Sequence, residues 1–478
     1  MPIPQGQIAL KFLSESLQFL KENGIQCLII KSSGLLYNSS SEEYKKLLFS
    51  KLNVIQIFDF TALAEGKSLW DNGARVGSAA IFLRKNLPDF NKNILHVTFR
   101  RTKATKERLV FEIDDYDLHF VNRQNAIENS HVWKCNLLGG GRTKLILEKT
   151  ASYDTLESFL DKNKCIAGEG YIIGNNGHLQ PNYIYSIPTL PTSAIGAGGI
   201  DYSMLKELEP NLKFIKVSEE LLFKSPNIIL WENIGITELP VFLNEIPFSY
   251  KAKIIGIASK ENNVELLKHI VELFKLHGDF FRFHIFTTSS QVLINRNTAV
   301  LKADYMRLPF SSINGENFDL SDYDRSIVRD VNGLLRDFLV QGENSKAVKS
   351  IPSKELNLII ENYGNQFSSV LNLMYEDNNK RFRLYEVVSI DDSFIATIFK
   401  YDDIYNEKVK YSTQLGLDLA GLTHHQVSQH LSSNRIIKLY PQKDTVVFVK
   451  PNQYRYWISL IAYRDADKCF ADLSKAGY

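Results

Sequence analysis

The sequence predicts an α/β protein with an open, largely parallel sheet over residues 1–150. An α+β domain over 151–315 and a helical, α+β C-terminal domain over 316–478 follow. Three observations carry this reading. Short continuous apolar runs at 26–31 and 53–60 flank a helical stretch, the spacing of a strand-helix-strand crossover, which sets the two strands parallel. From about 165 to 310 the texture changes to short strands broken by Pro, Gly and Asn. Beyond about 320, long helical periodicities return. The length agrees, because 478 residues exceed one ordinary core and domains of roughly 100–200 residues make about three.

Each element has its own reason. Apolar residues at Ile8, Leu10, Phe12, Leu13, Leu17 and Leu20 give a helix over Gln7 to Glu22, stopped at Asn23-Gly24. Gln26 to Lys31 reads as a buried parallel strand, Ser32 to Asn38 as a loop, and Glu42 and Glu43 open a second helix. Asn53 to Phe60 and Ser78 to Arg84 are the next strands. Ile94 to Phe99 and Leu109 to Val121 are strand-like runs, and Trp133 to Arg142 reads as a loop. A short helix at Tyr153 to Leu160 and a clear one at Val264 to Leu276 follow, then long helices at Asp322 to Leu339 and Glu355 to Met374 and strands around Phe382 to Lys400.

Composition excludes several classes. At 44% hydrophobic and 23% charged the chain is globular. Its formal net charge of +2 neither demands nor excludes nucleic acid. Cys27, Cys135, Cys165 and Cys469 lie far apart with no C-x-x-C pair, which argues against a zinc site or a disulfide framework and makes a reducing cytoplasm the expectation. No apolar run approaches the roughly 20 residues of a membrane span, and no secretory signal is visible, so no membrane partner is expected.

Taken in order, Gln5 to Leu13, Lys21-Glu-Asn-Gly24, Gly34-Leu-Leu-Tyr-Asn38, Val54 to Phe60, Ala79 to Lys85, Phe111 to Asp117 and Trp133 to Arg142 form a pattern. It resembles the part of adenine-N6 DNA methyltransferases, of the type I and type IIG restriction-modification kind, that follows their Asn-Pro-Pro-aromatic catalytic loop. The resemblance implies a partial Rossmann-like methyltransferase sheet over residues 5 to 150. It extends less strongly through Phe223 to Leu230, Ile254 to Ala258, Thr287 to Ser290, Arg296 and Leu301 to Pro309 to the target-recognition domain of the same enzymes. Lys31 departs from the pattern, standing where the family usually has proline. No Pro-Pro dipeptide occurs, and Gly139-Gly-Gly141 and Gly196-Ala-Gly-Gly199 come too late for a cofactor turn. The expectation is therefore no catalytic residue and no cofactor held by this chain alone.

Candidate contacts to double-stranded DNA come from local charge. The window 81–110 holds eight basic residues, Arg100, Arg101 and Lys103 among them, against Asp89 and Glu107. Gly139, Gly140, Gly141 and Arg142 offer backbone amides and a guanidinium to an anion, against the alternative of a tight packing turn. Ser289, Ser290, Arg296 and Lys302 are candidates from the target-recognition resemblance. Glu112, Asp114, Asp115 and Asp117 lack a metal-nuclease lysine and read as a structural edge; no metal is expected. His424, His425 and His430 are spaced wrongly for two ligands on one helical face. The aromatic and basic stretch Tyr454 to Asp467 allows either base stacking or helix packing.

The strand at Cys27 to Ile30 would pair, in this fold, with the strand bearing the catalytic loop. It is expected to leave an apolar edge that something must cover. The leading expectation is thus the DNA-recognition half of a split or truncated methyltransferase, with S-adenosylmethionine on a partner protein carrying the other half. A catalytically dead, DNA-binding scaffold and a fragment of a complete enzyme are the alternatives.

Overall fold

The computed structural model describes the chain apart from residues 1, 5, 65–75, 105–108, 111, 180, 197, 234–237, 295–298, 311–317, 378, 391, 404–407 and 415–434. Arg296, His424, His425 and His430 lie outside the described residues. The fold is mixed α/β and divides into two compact units, one of Met1–Lys144 with Arg329–Tyr478, the other of Leu145–Val328.

The first unit begins with α1 (Ile8–Glu15), β1 (Ile25–Lys31), α2 (Glu42–Lys51), β2 (Asn53–Asp59), β3 (Ser78–Arg84), β4 (Ile94–Thr98), β5 (Leu118–Val121) and α3 (Val132–Leu137). α1 ends earlier than its periodicity predicts, because Ser16–Phe19 tightens into a 3-10 turn. The left-handed Asn23 then turns the chain into β1. The expected loop after β1 is a buried single-turn π-helix, Ser33–Tyr37.

The sheet order is β1-β3-β2-β4-β5. β1 and β2 do run parallel, as the crossover requires, but they are not neighbours. β3 lies between them and is antiparallel to both. β2 and β4 pair in parallel, and β5 closes the far edge antiparallel. The sheet is therefore mixed, and the largely parallel expectation is corrected at β3. Apolar runs identify strands, yet they carry no information on which strand pairs with which.

Of the expected loop at Trp133 to Arg142 only residues 138–141 form a turn, the rest being helical. α3 is buried along its whole length, with Trp133 stacked on Phe49 at 5.0 Å and edge-on to His96 at 5.2 Å. Leu109 to Val121 is also broken, by a 3-10 turn at Asp115–Asp117 before β5.

In the second unit β6 (Cys165–Glu169), β7 (Asn227–Trp231), β8 (Val241–Asn244) and β9 (Ile254–Ser259) form an antiparallel sheet in the order β8-β7-β9-β6. β9 is buried at every residue. α4 spans Val264–Leu276, as its periodicity predicts, and Asn263 caps it by accepting from the Leu266 amide at 3.0 Å. The aromatic-rich α5 (Gly278–Thr288) follows directly.

The C-terminal part of the first unit holds α6 (Ser353–Tyr375), β10 (Lys380–Ile390), β11 (Phe394–Asp403), β12 (Lys410–Gln414), β13 (Ile437–Gln442), β14 (Thr445–Pro451) and α7 (Ser459–Lys475). The five strands order as β12-β10-β11-β14-β13. Phe367 of α6 lies tilted against Phe399 of β11 at 4.2 Å and meets Phe448 of β14 edge-on at 5.3 Å. No helix among the described residues is long and apolar enough to cross a membrane.

Candidate functional site

The carboxyl ends of β1, β2 and β4 lie at one end of the first sheet, where α/β folds place ligands. Here they carry a buried polar network. Asp59 ends β2 with no exposure; it accepts from the Thr61 amide at 2.9 Å and from the Tyr37 hydroxyl, and His96 Nε2 stands 3.5 Å away. Thr61 donates to Ser32 Oγ at 2.7 Å, and Asn136 of α3 pairs with His96 Nδ1 at 3.1 Å. Burial opposes ionisation of Asp59, yet His96, Thr61 and Tyr37 together hold its pKa below the usual carboxylate value. Burial, reinforced by Asp59, pushes the Tyr37 hydroxyl well up, so it stays a donor. Every member is sealed from solvent. The network braces the strand ends rather than receiving a substrate.

The predicted basic contacts turn out differently. Arg100 is 5% exposed, donates to the Leu137 carbonyl at 2.8 Å, lies 3.5 Å from Asp117 and sits over the Phe338 ring. Arg101 is equally buried and bound to Glu343 and the Gln341 carbonyl. These guanidiniums are structural cations whose partners, Phe338, Gln341 and Glu343, lie far along the sequence. Lys103 is exposed.

The three glycines form the cap of α3. Their φ angles are +107°, +70° and +55°, and the Gly140 amide donates to the Cys135 carbonyl at 2.7 Å. A Cβ on Gly140 would come within 2.5 Å of His119 Nδ1, so the packing-turn alternative describes this segment. Arg142 is held in a two-bond pair with Asp467, at 2.8 and 3.2 Å. In the second unit Ser289 is buried and donates to Asp304 at 2.9 Å, while Ser290 and Lys302 are half-buried.

The acidic run is a structural edge. Asp114 pairs with Arg435 at 3.2 Å and Arg455 at 3.1 Å, Glu112 with Arg435 at 2.8 Å, Asp115 with Lys468, and Asp117 with Arg100. The C-terminal aromatic stretch is packed inward: Tyr454, Arg455, Tyr456 and Trp457 are all buried, which removes base stacking for them.

Among the described residues, what remains accessible is one edge of the first sheet and the margins of one face, whose centre is closed by Ala80 and by the cluster of Leu63, Val97 and Phe99 with Phe58, Leu95 and Leu118. Strand register puts Ile25, Cys27 and Ile29 of β1, Phe82 of β3, Phe58 of β2, Leu95 of β4 and Phe120 of β5 on the same face. Ile25 is 50%, Ile29 54% and Phe120 69% exposed. The opposite face carries Ile57, Ile81 and Ile94, each fully buried. β1 pairs only with β3 among the described strands. The bonds from Ser32 N to Gly77 O and from Lys85 N to Gly24 O place even-numbered residues toward β3. The amides and carbonyls of Ile25, Cys27, Ile29 and Lys31 therefore point to the free edge. Across the corner, α1 exposes Ile8 and Phe12.

No protein-family model matches this chain, and no curated protein matches it. Among solved structures it is similar to the type IIG restriction endonuclease BpuSI, at 11% identity and a TM-score of 0.27. That alignment covers 68% of this chain and 44% of BpuSI, so the chain spans less than half the length of that structure.

The free edge at Cys27 to Ile30 is expected from the strand order that the family resemblance implies; the apolar run marks the strand and not its pairing.

Proposed function

We propose that this chain is the DNA-recognition half of a split or truncated adenine-N6 DNA methyltransferase of a restriction-modification or phage-defence system. A second body of protein completes the first sheet and brings S-adenosylmethionine and the catalytic loop. The observation that carries this reading is the apolar β1 edge, unpaired among the described strands, with Ile25 and Ile29 half-exposed on it. An unpaired apolar edge strand is a template for another chain, and fully burying each exposed Ile or Phe contributes about 1.5–3 kcal/mol. The order of motifs from Gln5 to Arg142 supports the same family.

DNA contact then falls to Lys103, Ser290 and Lys302 among the candidates with accessible polar groups. Arg100, Arg101 and Arg142 hold the scaffold instead.

The test mixes the chain with proteins that carry a cofactor motif and an Asn-Pro-Pro-aromatic loop, and follows transfer of labelled methyl groups to duplex DNA. Transfer is expected from the mixture and from neither component alone. DNA binding with no transfer in any mixture would favour the scaffold reading; methyl transfer by the isolated chain would overturn both.

A further inference from the structure

The second unit carries a groove that the methyltransferase reading leaves unused. It encloses about 800 Å³ between β8, the C-terminal turn of α4, the start of α5 and Gly198 of a hairpin in which Ile195–Gly196 pairs with Gly199–Ile200. Val241, Phe242 and Leu243 of β8 all line it. Successive side chains of a strand point to opposite faces, so three in a row meet one space only where that space runs along the strand's edge. β8 is an edge strand, in the order β8-β7-β9-β6.

The Trp231 amide donates to the Pro240 carbonyl at 3.1 Å, which turns the even-numbered residues of β8 toward β7. The main-chain groups of Val241 and Leu243 therefore point outward, along the groove. The Val241 amide is taken by the Leu239 carbonyl at 2.9 Å, which leaves the Val241 carbonyl and both groups of Leu243 without a partner among the described residues. A Cβ on Gly198 would meet nothing within 4 Å, so that wall is bare main chain with room beside it. Leu239, Val271 and Phe274 are buried and form an apolar floor. Along residues 238–245 and 264–279, Lys268 donates to Glu265 at 2.9 Å and Asp279 accepts from Arg282 at 3.4 Å. Glu238, Glu245 and Glu272 make no hydrogen bond or ion pair among the described residues, against Lys275 as the one unpaired cation of these segments. The mouth of the groove is thus acidic.

We propose that this groove binds an extended peptide segment of another protein, added as a further strand on β8, in which apolar residues alternate with lysine or arginine. Leu243 offers a donor and an acceptor side by side, as an antiparallel partner strand requires, and main-chain bonds of this kind give affinity while pockets for alternate side chains give specificity. The floor takes an apolar side chain, and the unpaired carboxylates complement basic residues beside it. A nucleic-acid strand would meet the same carboxylates with its phosphates and be repelled. The groove belongs to the second unit and shares no residue with the β1 edge, so the proposal does not rest on the methyltransferase reading.

The experiment screens the full chain, by fluorescence anisotropy, against labelled hexapeptides that alternate Lys or Arg with Val, Ile, Leu or Phe, and against the same series with Glu in place of the basic residues. Micromolar binding by members of the basic series and none by the acidic series is expected, with slowed hydrogen exchange at the Leu243 amide in the complex. Leu243→Pro removes only an outward N–H, which an edge strand tolerates, and should weaken binding several-fold to about tenfold. N-methylation of the peptide main chain should weaken binding to the parent chain in the same way, whether or not that variant folds. Glu238→Lys with Glu272→Lys should move the preference to the acidic series. No binding in the basic series, equal binding of both series, or slowed exchange at the β1 amides with Leu243 unaffected would each overturn the proposal. Methyl transfer in the mixing experiment does not depend on this groove, so the two readings fail separately.

Discussion

Arg100 stands out in the sequence for its charge and is defined in the structure by its burial. Burial of a charge requires a partner, and Asp117, the Leu137 carbonyl and the Phe338 ring supply three. The same rule governs Lys450, which has no exposed side-chain surface and meets Asp465, the Tyr363 hydroxyl at 2.8 Å and the Tyr456 carbonyl at 3.3 Å. Burial pulls its pKa down to about 8, with Asp465 opposing. Lys450→Met is expected to cost about 3–5 kcal/mol by urea denaturation, because Asp465 is left buried and uncompensated. Replacing both residues by apolar ones should recover part of that loss. The glycine cap gives a graded contrast. Gly141→Ala, with open space around its Cβ but φ of +55°, should cost about 1 kcal/mol, and Gly140→Ala, which also meets His119, about 2 kcal/mol or more.

Asp330 supplies a pH dependence at the same scale. Burial pushes its carboxyl up to about 7, although Oδ2 accepts from the Leu460 amide at 2.8 Å at the start of α7. Because the folded value is raised, the native state holds a proton that the unfolded chain releases near pH 4. This contribution is complete below the unfolded pKa and is lost as pH rises through 7. Asp330→Asn keeps an acceptor without the charge. Its stability should fall less than that of the parent between pH 4 and 7, as read from unfolding midpoints across that range; parallel curves would show that the carboxyl is not responsible.

At the level of elements, local pattern located α4 and most of the strands, since amphipathic period and capping are written within a dozen residues. α5 was not legible because Gly278 to Thr288 is apolar on nearly all sides and shows little periodicity. Pairing was illegible for a different reason. The insertion of β3 between β1 and β2 depends on contacts that no stretch of sequence encodes by itself. The open edge follows from that pairing and makes its own prediction. Ile25→Lys with Ile29→Lys changes residues already half-exposed, so the isolated chain should keep its stability within about 1 kcal/mol. Association with the complementary half, followed by sedimentation, should be lost. A variant that associates as well as the parent would show that β1 is not the contact.

For the whole molecule, the two-unit division marks the boundary of what local sequence encodes. Residues 1–144 and 329–478 form one compact unit, joined through pairs such as Asp114 with Arg455 and Tyr116 with Asp465 at 2.7 Å. The acidic run, the glycine cap and the aromatic C-terminal stretch each looked like a candidate contact because their partners stand far apart in the chain. Once those partners are found, these three segments are accounted for, and the β1 edge, unpaired among the described strands, is what remains. The most direct measurement is hydrogen exchange at the β1 amides of Ile25, Cys27, Ile29 and Lys31, with and without a protein carrying the cofactor half. Slow exchange at these four positions only in the mixture, with the amides facing β3 protected throughout, is the predicted result. Equal and rapid exchange at the four in both samples, from a mixture that methylates DNA, would contradict the account.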